Sequence, residues 1–362
     1  MKSKLNLFLF FGAAILSGCD DKVEVKPELA TPTTYNFENV NYSGQTARLD
    51  MLGELEAEMK KGNTAGTAIN AAVLKNMYAN ENAPFANAAL NSSGKQLKDK
   101  TFSLDQPIFE IFFDKLAVAS TSTTPGSTGV AGVVTSTDGT KTYLFDENGI
   151  EYTQVALKGL MGAVLYYQVV GHYLTEDKIG NAVDNTTVKE GEGTPMEHHW
   201  DEAFGYFGVP VNFPENKEGS RYFGRYSDQV NQAIGSNEAI MNAYIKGRDA
   251  IIKKDMTTKE AQAALLVEEW EKLVAACTIL EINKAKASFS DDASRNHLLS
   301  EAIGFAMALK YNPKKKITQE QINTVLAKIG DNLYEVSLNE LNEAIDIISN
   351  VYGFENVKNN IN

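Results

Sequence analysis

The chain has 362 residues, 43% of them hydrophobic, so it is long enough to bury a large core. Its 34 basic and 47 acidic side chains give a net charge of −13. This charge argues against nucleic-acid partners, because binding to phosphates needs a basic surface that displaces counterions. There are two cysteines, Cys19 and Cys277. Cys19 belongs to the processing signal described next, so Cys277 remains alone in an apolar helical stretch. A buried thiol is expected there, and no disulfide framework.

The start of the chain has the layout of a bacterial secretion signal. Lysines begin it, residues 5–15 form a short apolar core, and Leu-Ser-Gly-Cys at 16–19 forms the cleavage site. The apolar core is shorter than the roughly 20 residues that a transmembrane helix needs. The last four residues resemble the lipobox of bacterial lipoproteins. That resemblance implies a signal peptide over 1–18 and a lipid on Cys19.

The residues after Cys19 indicate where the protein is held. The acidic cluster at 20–24 resembles the export signal of surface lipoproteins of the Bacteroidetes type. Prolines and threonines then make 19–34 a flexible tether. Because several acyl chains together hold a protein firmly on a membrane, we expect a lipid-anchored protein of the outer membrane, in the cell envelope. Either the surface or the periplasmic face is compatible with this signal.

Helical periodicity dominates the chain from residue 35 onward. Segments with this period cover 46–61, 67–79, 108–116, 154–174, 194–210, 237–254, 258–287 and 293–311, followed by two helices that begin at Thr318 and Ser337. Residues 120–142 are rich in Ser, Thr and Gly, and a small β-hairpin is expected between 130 and 152, with Asp146–Gly149 as a turn. The expected fold class is all-α, with antiparallel helical bundles and one small β-hairpin. The candidate four-helix-type halves are 35–210 and 211–355.

The segment 194–210 carries two of the four histidines of the chain. Thr194 and Glu197 predict a capping box at its start, in which each side chain satisfies a free backbone N–H group. Pro195 occupies the first helical position, where its missing N–H group costs nothing. The sequence therefore predicts a short helix that presents its histidines from a well-defined start.

Two histidine–carboxylate pairs are candidate metal ligands. His198 and Glu202 are spaced i,i+4, and His297 and Glu301 repeat this spacing on a later helix, so each pair shares a helical face. Facing helices that each present a histidine and a carboxylate build iron, manganese or zinc sites in bundles. We therefore predict a site for a metal ion, iron or zinc, formed by these four residues and His199. A structural network between helices and a set of unrelated exposed groups remain the alternatives.

The segment 154–174 is apolar almost all round, which predicts a central, buried helix. Lys158, Gln168 and His172 fall on one stripe of that helix. Polar side chains inside a buried helix need partners. The stripe therefore predicts either a satisfied polar network or the lining of an interior cavity that binds a ligand.

Four segments carry a resemblance to a known group of proteins; they are 42–49, 158–163, 197–205 and 297–305. Over about residues 35–355 the chain resembles an uncharacterised family of Bacteroidetes lipoproteins. That family is distantly similar to the imelysins, iron-regulated helical lipoproteins of two four-helix bundles. Imelysins carry a Gly-x-His-x-x-Glu motif. The nearest match here runs from His199 to Glu202, with Glu197 in place of the glycine. The resemblance implies metal or iron acquisition at the cell envelope, beside an outer-membrane transporter.

Two classes of function follow, and neither is enzymatic. The first is a lipoprotein that binds a metal or an iron-related ligand through the His/Glu cluster. The second is an interaction or scaffold lipoprotein for protein or glycan, with structural His–Glu pairs and an exposed aromatic patch at Tyr222, Phe223 and Tyr226. A metallopeptidase is the least favoured interpretation, because the His-Glu-x-x-His pattern of zinc peptidases is absent from the sequence.

Overall fold

Thirteen α-helices, one two-stranded antiparallel sheet and several short 3₁₀ and π-helical segments make up the regular structure in the computed structural model, which describes residues 30–362. The predicted signal peptide, Cys19 and most of the predicted tether lie outside the described residues. The helices are α1 (Ser43–Lys60), α2 (Ala71–Ala79), α3 (Ala88–Asn91), α4 (Gln106–Ser120), α5 (Tyr152–Leu160), α6 (Glu176–Ile179), α7 (Pro195–Gly205), α8 (Phe223–Ile234), α9 (Ser236–Lys253), α10 (Met256–Ala287), α11 (Asp292–Ala308), α12 (Gln319–Ile329) and α13 (Leu338–Tyr352). The prediction of an all-α fold with a small hairpin is confirmed.

The hairpin pairs β1 (Gly132–Thr135) with β2 (Thr142–Phe145). The predicted turn at Asp146–Gly149 lies after this hairpin and joins β2 to α5. The Oδ1 atom of Asp146 accepts hydrogen bonds from the N–H groups of Asn148 at 2.9 Å and Ile150 at 2.8 Å. A side chain that bonds its own backbone in this way fixes a turn. It also fixes the point at which α5 begins.

The central buried helix is confirmed, but it is not a continuous α-helix. After α5 the chain continues through two π-helical segments, Met161–Tyr166 and Val169–Tyr173. A π-helical turn holds more residues than an α-helical turn, so positions that would share a stripe at 3.6 residues per turn face different directions. This change of period separates Lys158 from His172.

Close packing between α5 and α11 follows from small residues. A Cβ atom built on Gly304 would lie 2.5 Å from the Cβ of Lys158, and one on Gly162 would lie 2.2 Å from the Cβ of Ala308. Gly304 and Ala308 therefore let the two helices approach closely. The two helices come near enough for polar side chains of one to reach the other.

Residues 32–362 form one compact unit. Helix α7 packs against α9, and α5 packs against α11, so the regions 35–210 and 211–355 share their core. The longest helix, α10, packs against α8, α9, α11 and α13. Cys277 is fully buried on this helix, as predicted, and burial raises the pKa of its thiol. Within the described range, no helix has the length and apolarity needed to cross a membrane.

Candidate functional site

Helix α7 begins as its sequence predicts. The Oγ1 atom of Thr194 accepts a hydrogen bond from the N–H group of Glu197 at 3.3 Å, and Glu197 Oε2 accepts one from the N–H group of Thr194 at 2.8 Å. Pro195 is the first helical residue. The capping box thus fixes the start of the helix and the direction in which the following histidines project.

The predicted His198–Glu202 pair is present, and neighbouring elements partly cover it. His198 Nε2 lies 3.8 Å from Glu202 Oε2. The other carboxylate oxygen, Oε1, accepts hydrogen bonds from Gln45 Nε2 at 2.9 Å and from the Tyr173 hydroxyl at 3.1 Å. Because Gln45 belongs to α1 and Tyr173 ends the second π-helical segment, this face of α7 is an interface between elements.

Two more histidines lie beside Tyr173. The ring centroids of His172 and His199 are 5.0 Å and 6.5 Å from that of Tyr173. His199 Nδ1 lies 2.7 Å from the backbone oxygen of Lys178. A carbonyl only accepts, so Nδ1 carries the hydrogen and Nε2 carries the free lone pair. We call His172, His198, His199 and Glu202 the Tyr173 group.

Both His172 and His199 favour the neutral form. Burial lowers the pKa of each imidazole, and the positive charge of Lys178 lowers it further. At neutral pH His172 and His199 are therefore uncharged imidazoles. This is the protonation state that a transition metal requires of its histidine ligands.

The second predicted pair, on α11, belongs to a different set of contacts. His297 Nδ1 lies 2.5 Å from Glu151 Oε2, and His297 Nε2 lies 3.5 Å from Glu301 Oε1. The Tyr143 ring stacks on the imidazole at a centroid distance of 4.1 Å. Both ring nitrogens of His297 therefore already face carboxylates, and its flat face is covered.

A lysine from α5 completes this set. Lys158 Nζ lies 3.2 Å from Glu301 Oε1, and the Tyr226 hydroxyl donates to Glu301 Oε2 at 3.0 Å. Burial alone would raise the pKa of the Glu301 carboxyl, but Lys158 and His297 outweigh burial and hold it below its usual value. The ammonium of Lys158 thus supplies the positive charge that a metal ion would supply at this carboxylate.

One further carboxyl, Glu281 of α10, is fully buried beside these groups. Its Oε1 atom lies 3.2 Å from Lys284 Nζ, whereas its Oε2 atom has no hydrogen-bond partner. Burial, followed by the negative charge of Glu301, raises the pKa of Glu281 to about 7. We call Glu151, Lys158, Tyr226, Glu281, His297 and Glu301 the Lys158 network.

The five predicted metal ligands therefore lie in two groups, His198, His199 and Glu202 in one and His297 and Glu301 in the other. Within residues 30–362, no hydrogen bond or ion pair joins the two groups, and no three His, Cys, Asp or Glu side chains are placed to hold a metal ion. The physical reason is the packing: α7 lies against α1 and α9, whereas α11 lies against α5 and α10.

The predicted polar stripe is divided as well. Lys158 belongs to the Lys158 network and His172 to the Tyr173 group. Gln168 donates to the backbone oxygen of Lys100 at 2.9 Å. The stripe therefore does not line one cavity, because the π-helical segments change its direction, and each side chain meets a different partner.

The prediction of an exposed aromatic patch is wrong. Tyr222, Phe223 and Tyr226 are at most 9% exposed. The Tyr222 hydroxyl donates to the backbone oxygen of Leu49 at 3.1 Å, and the Phe223 ring packs edge-on against Trp270 at a centroid distance of 5.2 Å. These rings belong to the core because α8 packs directly on α10.

A groove of about 790 Å³ lies between α4, α5, α11 and α12. Its floor is apolar and consists of Ile150, Val155, Ile303, Met307 and Leu326. Phe112 and Tyr152 form one wall, with ring centroids 5.9 Å apart and planes inclined by 30°. The rim carries the polar side chains of Lys115, Asp146, Asn148, Asp331 and Asn332. We call this depression the α4 groove.

The α4 groove continues beyond a polar bridge. Lys115 Nζ donates to the Tyr152 hydroxyl at 3.0 Å, and past this bond lies a second depression of about 230 Å³. Ile111, Val118 and Ala131 line the second depression. Ile111 is 49% exposed and Val118 is 71% exposed, although both are apolar. The apolar surface therefore extends beyond the α4 groove into this second depression.

This groove was not predicted from the sequence. The predicted apolar helix at 108–116 does turn Phe109 and Phe113 toward the core. The missed signal is that the same helix also carries Ile111 and Val118, two turns apart, on the opposite side. A helix that is apolar on two faces has a second surface to cover.

Comparison with known proteins gives one result. A family described as a domain of unknown function, DUF4856, matches residues 32–355. No curated protein and no solved structure matches the chain. The match covers nearly the whole described fold, including the Tyr173 group, the Lys158 network and the α4 groove. The chain therefore belongs to the DUF4856 family.

Proposed function

We propose that the chain is a lipid-anchored, non-catalytic binding protein of the cell envelope and that it holds its ligand in the α4 groove. The observation that carries this proposal is the groove: an apolar floor, two aromatic rings and a few converging polar groups. Its volume of about 790 Å³ falls within the roughly 300–1,000 Å³ of typical ligand sites. Anchoring through Cys19 rests on the signal sequence.

The polar groups at the rim support a binding role. The side chains of Asn148 and Asp331 make no hydrogen bond with any described residue, so their hydrogen-bonding capacity is available to a ligand. Burial raises the pKa of Asp146, although two N–H groups of its own turn oppose that rise. A partly desolvated carboxyl at the edge of an apolar groove is a frequent feature of binding sites.

Photo-cross-linking in cells tests the binding site. Benzoylphenylalanine is placed at Val118, beside the groove, and separately at Val188, which is 62% exposed and lines neither depression. We expect a discrete cross-linked product from position 118 and none from position 188. Equal products from both positions, or none from position 118, would count against the proposal.

Lipid labelling tests the anchor. Cells that produce the full chain are fed an alkynyl fatty acid, and the purified protein is examined for the label. We expect labelling of the wild type and loss of labelling in Cys19→Ala. A label that persists in the variant would show that the lipid is carried elsewhere.

A transition metal at the Tyr173 group is a second candidate function. The observation that favours it is the orientation of His199, whose Nδ1–H group is held by the Lys178 carbonyl so that Nε2 is left as a ligand atom. Side chains of the group would have to rotate toward a common ion. The resemblance to imelysins supports iron as the ion.

Thermal unfolding with added metal tests this second candidate. We expect Fe²⁺ or Zn²⁺ to raise the melting temperature of the wild type and of His297→Gln, but not that of His199→Gln. His297→Gln is the matched control, because His297 lies in the Lys158 network. A metal effect of equal size in all three proteins, or none in the wild type, would remove this candidate.

A further inference from the structure

An exposed apolar strip on α4 accompanies the α4 groove. Ile111 and Val118 of α4 are 49% and 71% exposed and lie seven residues apart, which is two helical turns. At about 1.5 Å per residue this apolar strip is about 10 Å long. The two depressions lie beside it, separated by the Lys115–Tyr152 hydrogen bond. A strip with two depressions fits a chain segment that inserts successive side chains.

The rim of the groove is acidic. Asp114, Asp146, Glu147 and Asp331 line the two depressions, and Lys115 is the one cation among the described lining residues. Asp114 is already paired with Lys75 at 2.7 Å, whereas Glu147 and Asp331 have no ion-pair partner in the described part of the chain. Unpaired carboxylates, one lining each depression, attract an occupant that carries positive charge.

A second copy of the chain fits this surface poorly. In a symmetric dimer the same patch meets itself, so the carboxylates of Glu147 and Asp331 would approach other carboxylates. The net charge of −13 on each copy adds to this repulsion. Electrostatics therefore favours a different, basic partner.

We infer that the α4 groove receives a segment of a partner protein in which apolar side chains are flanked by lysine or arginine. This inference rests on the proposed function, since it names the occupant of the same groove. The apolar side chains fill the two depressions, and the basic ones face Glu147 and Asp331. Like other rim charges, these carboxylates contribute mainly to attraction and selection, whereas the apolar contacts supply most of the affinity.

Peptide display tests the inference. A random library of 12-residue peptides is selected on the purified full chain, and enriched peptides are synthesised and titrated by fluorescence anisotropy. We expect enriched sequences with Lys or Arg next to aliphatic or aromatic residues. Their affinity falls with rising salt and falls about fivefold in the Glu147→Gln/Asp331→Asn variant, as two rim charges predict. A matched variant that removes two exposed carboxylates elsewhere, Glu238→Gln/Glu355→Gln, keeps the affinity within about twofold.

Variants of the apolar surface separate this inference from the proposed function. Met307→Trp fills the floor of the groove, and Val118→Ser changes an exposed side chain that folding does not require. Each should weaken peptide binding about tenfold or more, because Met307→Trp blocks the groove and Val118→Ser removes an anchoring contact. If enriched peptides are neutral or acidic and only the apolar variants affect them, the basic occupant is wrong and the groove remains a binding site.

Two other outcomes would also overturn the inference. If no peptides are enriched, or if neither apolar variant changes their affinity, the groove is not a peptide site and the proposed function loses its support. If light scattering shows a dimer that Val118→Ser dissociates, the occupant is a second copy.

Discussion

His297 Nδ1 lies 2.5 Å from Glu151 Oε2, although the two residues are 146 positions apart in the sequence. The backbone N–H group of Glu151 also donates to Ser300 Oγ at 2.9 Å, so α11 holds this residue at two points. Its neighbours Ile150 and Tyr152 line the α4 groove. The Lys158 network therefore has a structural consequence for the groove, because it fixes the wall from which the groove is built.

The His297–Glu151 contact predicts a pH-dependent stability. Burial opposes protonation of His297, but the Glu151 carboxylate outweighs burial and raises the pKa of the imidazole above its usual 6.5. The stabilisation is therefore complete below about pH 6.5 and is lost as the pH rises through the raised pKa. Urea unfolding between pH 7 and 9, above the range in which Glu281 titrates, should show this loss in the wild type. A loss of the same size in His297→Gln would contradict the assignment.

Glu281 predicts a second pH effect at a lower range. Its pKa is raised from 4.5 to about 7, so its contribution to the free energy of unfolding declines as the pH rises between these values. We expect Glu281→Gln to match the wild type near pH 4.5 and to exceed its stability by about 1–3 kcal/mol at pH 8. Chemical denaturation at both pH values measures this difference. Glu355→Gln, an exposed control, should change nothing, and an equal gain in both variants would refute the explanation.

Lys158 is predicted to stabilise the network by its charge. In Lys158→Met the Glu301 carboxylate loses the ammonium at 3.2 Å and remains buried. Removing one partner of a buried ion pair typically costs about 3–5 kcal/mol. The double variant Lys158→Met/Glu301→Gln should recover a large part of that loss, since no uncompensated charge remains. If the double variant is as unstable as the single one, packing rather than charge explains the effect.

The helices could be predicted from the sequence because the signals for helix starts and helical periodicity come from residues close together in the chain. The capping box of Thr194 and Glu197, for example, depends on residues within one turn. The candidate site was harder to predict, because i,i+4 spacing shows which side chains share a helical face but not which other helix covers that face. His198 and His297 met different neighbours for this reason. The α4 groove was missed because Phe112 and Asn332, which line it together, are remote in sequence.

The turn that begins α5 gives a prediction about the groove wall. Gly149 has a φ of +78°, and a Cβ atom there would lie 2.3 Å from Asn296 Nδ2. Gly139 has a φ of +73° with no neighbouring atom within 4 Å. Gly139→Ala should therefore cost about 1 kcal/mol from backbone strain, and Gly149→Ala about 1–3 kcal/mol more from crowding. Thermal unfolding compares the two, and equal losses would mean that Asn296 moves aside freely.

Filling the groove is the sharpest test of whether the partner binds there. In cells that carry benzoylphenylalanine at position 118, Met307→Trp places an indole on the floor of the α4 groove while the cross-linker stays outside it. With the amount and melting temperature of the protein matched to the parent, we expect the cross-linked product from position 118 to be lost. A product that forms in the same yield with the groove filled would show that the partner binds elsewhere.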